Sequence, residues 1–234
     1  MHTNASLDPS NWLVFVNAVC FYVSSTPPNQ PLPESKQIMK STYEQNMLLR
    51  LLVHKIFVCS VCALHILSTF AGEELGLCAA QPPASHKSSG PAAHSTILIT
   101  TTCAGLVMTA IRLWCFATLG KHFDFQVNIK KTHQLITSGP YSFVRHPAYT
   151  SAFGSWVAIT MVMFSEDHWF SRCAQKSTVG WVAGWVWLVE VAMLGYTALA
   201  VRPKVEDEEL KKHFGNEWDE WAAKVPYRIF PYVY

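Results

Sequence analysis

The chain has 234 residues, of which 50% are hydrophobic and 15% are charged, and it contains nine tryptophans. This balance argues against an ordinary soluble domain and favours an integral membrane protein. The formal net charge is only +2, and no dense block of lysine or arginine is present, which argues against a nucleic-acid-binding surface.

Five mainly apolar runs follow one another along the chain. Each is long enough, or nearly so, to cross a hydrocarbon core about 30 Å thick. They are residues 11–24, 56–71, 96–119, 148–164 and 179–201. We therefore predict an all-α integral membrane protein with about five transmembrane helices. Whether the first run crosses the membrane stays open at this point.

Two polar segments separate apolar runs, and the seven cysteines lie mostly within such runs. Segments 24–46 and 81–94 are rich in proline, serine and polar residues and predict loops. The seven cysteines fall mostly in apolar runs, where a thiol packs as a small hydrophobe. Cys59 and Cys62 form a C-x-x-C without a second pair of ligands at metal spacing, so the pattern indicates neither zinc nor a disulfide framework.

The lysines and arginines indicate a topology. Fourteen of the eighteen lie in residues 24–55, in residues 120–147 or after residue 201, and one more, Arg112, lies inside a predicted helix. Cytosolic loops carry the excess of these residues, and an even number of predicted crossings separates the three segments. All three are therefore predicted in the cytosol, so that the 120–147 loop and the tail share one membrane face.

Two ionisable residues, Arg112 and Glu190, lie within predicted membrane spans. A charge in a membrane needs a partner or a function. We expect the two side chains to pair with each other, because the long arginine side chain can span the difference in depth. A role in ligand binding is the less favoured interpretation.

The stretch GPYSFVRHPAYTSAFG places polar residues at the start of an apolar run. Proline is favoured in the first helical turn and moves the preceding residue out of helical geometry, so Pro147 is predicted to begin a helix with His146 just outside it. A helix N-terminus suits an anion such as a carboxylate. Tyr141, Arg145 and Tyr149 add donors and aromatic faces. From these residues alone, simple anchoring of the helix at the headgroups is an equally good interpretation.

The tail after residue 201 supplies a second set of polar residues. Between Pro203 and Gly215 the sequence predicts a short helix with charges on its wet side. Arg202 and Glu206 leave the membrane beside the 120–147 loop and are the polar residues of interest. An interfacial stripe is predicted at two tryptophans three residues apart, Trp218 and Trp221.

These residues carry a family resemblance. QVNIKKTHQLITSGPYSFVRHPAYTS resembles the cofactor-binding signature of the isoprenylcysteine carboxyl methyltransferase family, which runs Q, H-x-L, G-x-Y and R-H-P-x-Y. The tail resembles the second signature, R-x-x-x-E-[ED]-x-x-L-x-x-x-F-G, and VPYRIFP is similar to the closing segment. The resemblance covers roughly residues 96–234 in the family's order and spacing. It departs from the family at Ser151, usually glycine, and at Asp207, often glutamate.

The resemblance implies an integral membrane enzyme that moves a methyl group from S-adenosylmethionine to the C-terminal carboxylate of a prenylated cysteine, giving a methyl ester. The implied acceptors are prenylated protein C-termini or small prenylcysteine substrates in membrane lipid, without nucleic acid or metal. The implied location is the endoplasmic reticulum, with the active site facing the cytosol. Residues 1–95 would form N-terminal membrane segments and polar loops, and residues 96–234 the methyltransferase core. Its cofactor pocket would be formed by the 120–147 loop and the C-terminal tail.

Site residues follow from the resemblance by motif. Arg202 would bind the acceptor carboxylate and is the candidate catalytic residue. No Gly-x-Gly occurs in the chain, so a Rossmann-type glycine loop is excluded. The implied cofactor contacts are Gln126, His133, Gln134, Leu135, Ile136, Tyr141, His146, Pro147, Ala148, Tyr149 and Glu206.

Three alternative functions remain open from the sequence. A phosphatidylethanolamine-type phospholipid N-methyltransferase uses a similar cofactor motif, but its amine must lose a proton, and Glu206 or His146 would be the candidate base. A membrane sterol reductase is distantly similar in its C-terminal fold, but no nicotinamide signature is present. A non-catalytic prenyl-lipid binding protein would keep the scaffold alone.

Overall fold

The computed structural model describes residues 9–29, 46–71, 91–125, 134–166 and 168–232, and every regular element within these ranges is helical. The α-helices in these ranges are α1 (Pro9–Ser24), α2 (Met47–Ala71), α3 (Pro91–Leu119), α4 (Pro147–Met163), α5 (Trp169–Arg172), α6 (Thr178–Tyr196), α7 (Arg202–Phe214) and α8 (Asn216–Lys224). Shorter 3-10 turns are Gly120–His122, Gly139–Ser142 and Ala174–Lys176, and a π-helical segment, Thr197–Val201, joins α6 to α7.

Three helical stretches of the described chain are long and apolar enough to cross a membrane: Met47–Ala71, Thr96–His122 and Thr178–Phe214. Helices α1 and α4 have only 16 and 17 residues. The all-helical membrane class is therefore confirmed, whereas the predicted count of five crossings is not. Large apolar side chains that stay exposed on α6, as a lipid-facing surface requires, are Val179, Trp181, Val182, Trp185, Val186 and Val189.

Proline and glycine set several helix boundaries as predicted. Pro147 is the first residue of α4 and His146 lies just outside it. Gly215, at a φ of 55° that side chains disfavour, ends α7. The predicted loop 81–94 is wrong over its last residues, because α3 already begins at Pro91, a favoured first position. Most of the predicted loop 24–46 lies outside the described residues.

The chain divides into two compact units, each assembled from three separate segments. The first unit consists of Met1–Val23, Leu52–Val107 and Ser155–Val191. The second consists of Ser24–Leu51, Met108–Gly154 and Ala192–Tyr234. Several helices run through both units. The division into residues 1–95 and 96–234 rests on the sequence pattern and stays a prediction.

Aromatic rings form the core of the first unit. The indole rings of Trp156 and Trp187 stack with centroids 5.4 Å apart, and Phe21 meets Trp156 edge-on at 5.1 Å. Asn17 on α1 donates a 2.7 Å hydrogen bond to Thr102 on α3, which satisfies two buried polar groups.

Two sequence expectations change in the first unit. The Glu190 carboxylate lies 3.8 Å from the imidazole of His54, so its ionisable neighbour is a histidine on α2. Cys173 is disulfide-bonded, although the cysteine pattern did not indicate a disulfide framework. Cys59 and Cys62 are both free thiols.

Candidate active site

The candidate site lies entirely in the second unit. Its first aromatic side chain, Tyr141, is positioned by a turn that begins at Gly139. Gly139 adopts a φ of 61°, and a Cβ at this position would lie 3.0 Å from the Thr118 hydroxyl. Glycine therefore fits both the turn and the close approach. The 3-10 turn that follows buries Tyr141. Burial raises the pKa of Tyr141 well above its usual value, so its hydroxyl stays protonated.

His146 lies between two carboxylates of α7. Its Nε2 is 2.9 Å from Asp207 Oδ1, and its Nδ1 is 3.4 Å from Glu206 Oε2. The Tyr149 hydroxyl donates a 2.7 Å hydrogen bond to the same Glu206 oxygen. Burial by itself lowers the pKa of His146, but the hydrogen bonds and charges of Asp207 and Glu206 outweigh burial and raise it to about 9. The imidazole is therefore a cation at neutral pH.

This arrangement predicts a loss of stability at alkaline pH. The folded pKa of His146, about 9, lies above its ordinary value of 6.5. The imidazolium therefore stabilises the fold fully below pH 6.5 and ceases to do so as the pH rises through about 9, an effect of up to about 3 kcal/mol. We expect the unfolding midpoint in detergent to fall between pH 7 and 9.5 in the wild-type protein and much less in His146→Gln. Equal slopes in the two proteins would contradict this assignment.

Asp207 is the common partner of three cations. The first cation is His146. The Arg228 Nε donates a 2.9 Å hydrogen bond to the Asp207 Oδ2, and an Arg145 guanidinium nitrogen lies 3.3 Å from the same oxygen. Asp207 and Arg145 are both buried. A carboxylate surrounded in this way is well compensated, and so are its partners.

The closing segment of the chain is hydrogen-bonded to the start of α4. The Arg145 and His146 backbone N–H groups donate to the carbonyls of Tyr227 at 2.9 Å and Arg228 at 2.8 Å. The Thr150 hydroxyl donates to the Ile229 carbonyl at 3.0 Å. The segment VPYRIFP is thereby fixed against the R-H-P-x-Y stretch, although the two are about 80 residues apart in sequence.

Arg202, the first residue of α7, is buried and lies beside the same aromatic residue as Glu206. Its guanidinium is 5.3 Å from the centroid of the Tyr149 ring, and its Nη2 donates to the carbonyl of Phe125. A guanidinium over an aromatic face is favourable by about 0.5–2 kcal/mol. The first turn of α7 therefore presents a cation and a carboxylate four residues apart, one helical turn along the same face.

An apolar cluster underlies these charges. Its buried members are Cys115, Phe116, Phe123, Tyr141, Ala148, Trp221 and Val225, and its partly buried members include Leu135, Ile136 and Trp218. The Trp221 indole also donates to the Tyr141 carbonyl at 3.3 Å. The prediction of an interfacial tryptophan stripe is therefore wrong, because Trp221 faces the core and Trp218 packs against it.

The predicted pairing of Arg112 with Glu190 is also wrong. The Arg112 Nη1 donates a 2.6 Å hydrogen bond to the Ala148 carbonyl, and its Nε donates to the Ser24 carbonyl at 3.3 Å. Ser151, the departure from glycine, is fully buried, and its hydroxyl donates to the same Ala148 carbonyl at 3.1 Å. The extra side chain at this position is therefore accommodated within its own helix.

The structure brings most of the sequence-predicted residues together. His146, Tyr149 and Glu206 are hydrogen-bonded or ion-paired to one another, and Arg202 lies against Tyr149. Residues in or beside the apolar cluster are Leu135, Ile136, Tyr141 and Ala148. Pro147 is buried at the start of α4, whereas Gln134 is exposed. Gln126 and His133 lie outside the described residues.

Three residues of this network were not predicted as site residues: Arg145, Asp207 and Arg228. The sequence indicates Arg145 only as a donor near a helix end and Asp207 only as a departure from the family pattern. Both stand next to predicted site residues in sequence, and Arg228 lies in the VPYRIFP segment. Their positions in the family signatures and in the closing segment were therefore the available signal.

The arrangement is suited to bind a ligand with both charges and an aromatic or apolar body. A partly exposed carboxylate, Glu206, accepts hydrogen bonds, and the Arg202 guanidinium attracts an anion. The imidazolium of His146 is occupied by protein carboxylates at both ring nitrogens. It therefore positions Glu206 and Asp207 and is not free to take up a proton.

Comparisons with known proteins agree with the motifs. Residues 99–182 match the model of the isoprenylcysteine carboxyl methyltransferase family. The chain is 32% identical over 127 residues to a probable protein-S-isoprenylcysteine O-methyltransferase of Oryza sativa subsp. indica, covering 52% of this chain and 56% of that protein. It is 29% identical over 125 residues to the protein-S-isoprenylcysteine O-methyltransferase B of Arabidopsis thaliana, covering 53% of each.

A third relative belongs to a different group of enzymes. The chain is 32% identical over 103 residues to the delta(14)-sterol reductase TM7SF2 of Mus musculus, covering 43% of this chain and 20% of that protein. The chain thus spans about half the length of the methyltransferases it matches. The resemblance indicated by the motifs is confirmed over residues 99–182, which match the model of the isoprenylcysteine carboxyl methyltransferase family.

Proposed function

We propose that this protein transfers a methyl group from S-adenosylmethionine to the C-terminal carboxylate of a prenylated cysteine, forming a methyl ester. The observation that carries the proposal is the contact of Glu206, from the tail, with His146 and Tyr149, from the R-H-P-x-Y stretch. The two family signatures, about 57 residues apart, meet at this point. The family match and the named methyltransferase relatives support the same activity.

The residues at this point suit S-adenosylmethionine. When bound, this cofactor supplies an electrophilic methyl group on a sulfonium. Glu206 would accept hydrogen bonds from its amino or ribose groups, and the Tyr149 ring would attract its positive charge. Leu135, Ile136 and Ala148 would provide apolar contacts. Tyr141, whose hydroxyl stays protonated because burial raises its pKa, can donate a hydrogen bond.

Arg202 would hold the acceptor. A C-terminal carboxyl group has a pKa of about 3.5, so the acceptor oxygen is already ionised at neutral pH and needs no general base. The guanidinium would fix the orientation of this carboxylate against the methyl group, and positioning of this kind supplies large rate factors. The surrounding apolar side chains would exclude water from the two opposite charges, and this exclusion favours a reaction in which charge disappears.

The protonation state of His146 argues against methylation of an amine. An N-methyltransferase needs a group that takes up the proton of the amine. The pKa of His146 is about 9 because Asp207 and Glu206 hold its proton, so the ring is already a cation at neutral pH. Glu206 is itself hydrogen-bonded to Tyr149. His146 therefore cannot act as the base, the nearby imidazolium makes the Glu206 carboxylate a weak one, and a second cation, Arg202, favours an anionic acceptor.

The proposed location is the endoplasmic reticulum membrane, with the site facing the cytosol. Fourteen of the eighteen lysines and arginines lie in the segments placed on that side, which supports the orientation. Cys173 lies in the connection from α4 to α6, on the opposite side, and its disulfide is consistent with an oxidising lumen. The proposed acceptors are prenylated protein C-termini or small prenylcysteine compounds dissolved in membrane lipid.

A labelling experiment tests this function. Membranes containing the protein are incubated with S-adenosylmethionine labelled in its methyl group and either an S-farnesylcysteine analogue or phosphatidylethanolamine. We expect base-labile label in the farnesylcysteine product and none in the phospholipid. Label in phosphatidylethanolamine would replace the proposal by N-methylation. The absence of label from both acceptors would contradict methyl transfer, and membranes without the protein provide the background.

A further inference from the structure

Arg112 is a buried cation within an apolar helix. It lies seven residues before the last residue of α3, which corresponds to about 10 Å along the helix axis. Only 4% of the residue is exposed. A charge in this position is strongly unfavourable unless it is compensated or serves a ligand. The surroundings of its guanidinium therefore decide which explanation applies.

The groups around Arg112 carry no formal negative charge. Two of its nitrogens donate to the backbone carbonyls of Ser24 and Ala148. Its guanidinium carbon lies 4.8–5.2 Å from the centroids of three phenyl rings, Phe116, Phe123 and Phe125. Among the described residues no carboxylate forms an ion pair with it, and its Nη2 makes no hydrogen bond. Three of the five N–H donors of Arg112 therefore have no acceptor among the described residues, and its positive charge has no anionic partner there.

Arg112 faces the candidate active site. The Ala148 carbonyl that it contacts follows Pro147 in the R-H-P-x-Y stretch, and its charge also acts on the Tyr141 hydroxyl. Phe125 connects it to the second guanidinium: Arg112 lies against the Phe125 ring, and Arg202 donates to the Phe125 carbonyl. The two arginines therefore approach one residue from different sides, although they come from different helices.

We propose that Arg112 binds a carboxylate of a reactant, a role for which the sequence favoured a structural ion pair instead. This inference rests on the proposed function, in which two carboxylates enter the site: the amino-acid carboxylate of the methyl donor and that of the acceptor. Both ring nitrogens of His146 are occupied by Asp207 and Glu206, so its imidazolium is not available to either one. Two guanidinium groups, Arg112 and Arg202, match two carboxylates.

The test is Arg112→Gln, which keeps hydrogen-bond donors for the two carbonyls and removes the charge. Lys55→Gln is the matched control, since it removes a cation from α2 whose ammonium lies 4.7 Å from the Tyr22 ring in the other unit. Three quantities are measured: the dissociation constant of S-adenosylhomocysteine, the KM of the S-farnesylcysteine analogue and the unfolding midpoint. A fourth is the dissociation constant of the S-adenosylhomocysteine analogue that lacks the carboxyl group.

We expect Arg112→Gln to weaken one ligand by about 10- to 100-fold, the range for a lost charged hydrogen bond, while Lys55→Gln changes neither. Weaker S-adenosylhomocysteine binding would show that Arg112 binds the carboxylate of the methyl donor. The analogue without the carboxyl group should then bind the wild-type protein and the variant equally. A raised acceptor KM identifies the acceptor carboxylate. Arg112→Lys, which keeps the charge, should retain most of the affinity and covers the case in which Arg112→Gln does not fold.

Two results would overturn the inference. Unchanged affinity for both ligands in a folded Arg112→Gln protein would show that Arg112 only connects Ser24 to Ala148. Equal losses in Arg112→Lys and Arg112→Gln, with a matching fall in the unfolding midpoint, would show the same. A wild-type protein that neither binds S-adenosylhomocysteine nor methylates the acceptor would instead contradict the proposed function and, with it, this role.

Discussion

Replacing Asp207 with alanine is expected to destabilise the protein by about 3–5 kcal/mol, the usual consequence of removing one partner from a buried ion pair. The change leaves the buried Arg145 guanidinium without this carboxylate, removes one of the two carboxylates that contact the His146 imidazolium, and removes a partner of Arg228. The measurement is the midpoint of thermal or denaturant unfolding in detergent, at pH 7. Limited proteolysis should also release the closing segment 225–229, whose contacts lie on the same residues.

A second carboxylate provides the control for Asp207. Asp219, on α8, pairs with Lys211 at 2.7 Å, but both side chains are about half exposed. Asp219→Ala should therefore change stability by at most about 1 kcal/mol, as surface pairs do. Asp207→Asn should remain strongly destabilising because it keeps the size and loses the charge. A small effect of Asp207→Ala, similar to that of Asp219→Ala, would show that the buried network contributes little to the fold.

Replacing Arg202 with alanine is expected to lower kcat/KM for the prenylcysteine acceptor by about 100-fold or more, which corresponds to about 2.7 kcal/mol of lost stabilisation. The reason is the loss of the guanidinium proposed to orient the acceptor carboxylate. The affinity for S-adenosylhomocysteine should change less than about threefold, because Glu206 and Tyr149 keep their hydrogen bond. Methyl transfer in membranes and equilibrium binding of S-adenosylhomocysteine provide the two measurements.

The neighbouring residue Lys204 is the control for Arg202. It lies on the same helix, is exposed and carries the same charge, so Lys204→Ala should leave both quantities nearly unchanged. A parallel loss of S-adenosylhomocysteine affinity in Arg202→Ala would assign Arg202 to the methyl donor. Unchanged acceptor kinetics would show that Arg202 does not bind the acceptor and serves the fold through contacts such as those with Tyr149 and the Phe125 carbonyl.

Local features of the chain were predictable from the sequence. Pro147 marks a helix start because proline restricts the backbone, and Gly215 marks a helix end because glycine allows conformations that other residues disfavour. Both boundaries lie where the sequence predicted them. The spacing of the family motifs also identified His146, Tyr149 and Glu206, which contact one another. The predicted cofactor pocket, by contrast, stays a prediction.

The partners of individual charges were not predictable, because they depend on how helices are arranged in space. The sequence gives the depth of Arg112 and Glu190 but not the helices beside them, and the two have different neighbours, backbone carbonyls in one case and His54 in the other. Asp207 stands in an acidic run that is typical of a solvated surface. Only the packing of α7 against the start of α4 buries it.

The number of membrane crossings shows a similar limit. Hydropathy identifies α1 and α4 as apolar, yet they have 16 and 17 residues, fewer than the three stretches that meet the length of a span. Trp221 shows the limit for a single side chain: its spacing from Trp218 fits an interfacial stripe, whereas its contacts lie in the core. Composition alone does not distinguish these environments.

The π-helical segment Thr197–Val201 has a consequence for the orientation of α7. In this segment the Arg202 N–H donates to the Thr197 carbonyl, five residues back, so one residue more than an α-helical turn is inserted. Each residue advances a helix by about 100°, and the insertion therefore rotates Arg202 and Glu206 by that angle relative to the preceding turn. The direction in which both side chains point is set by backbone winding outside the family motifs, and deleting one residue there would turn them away without altering either.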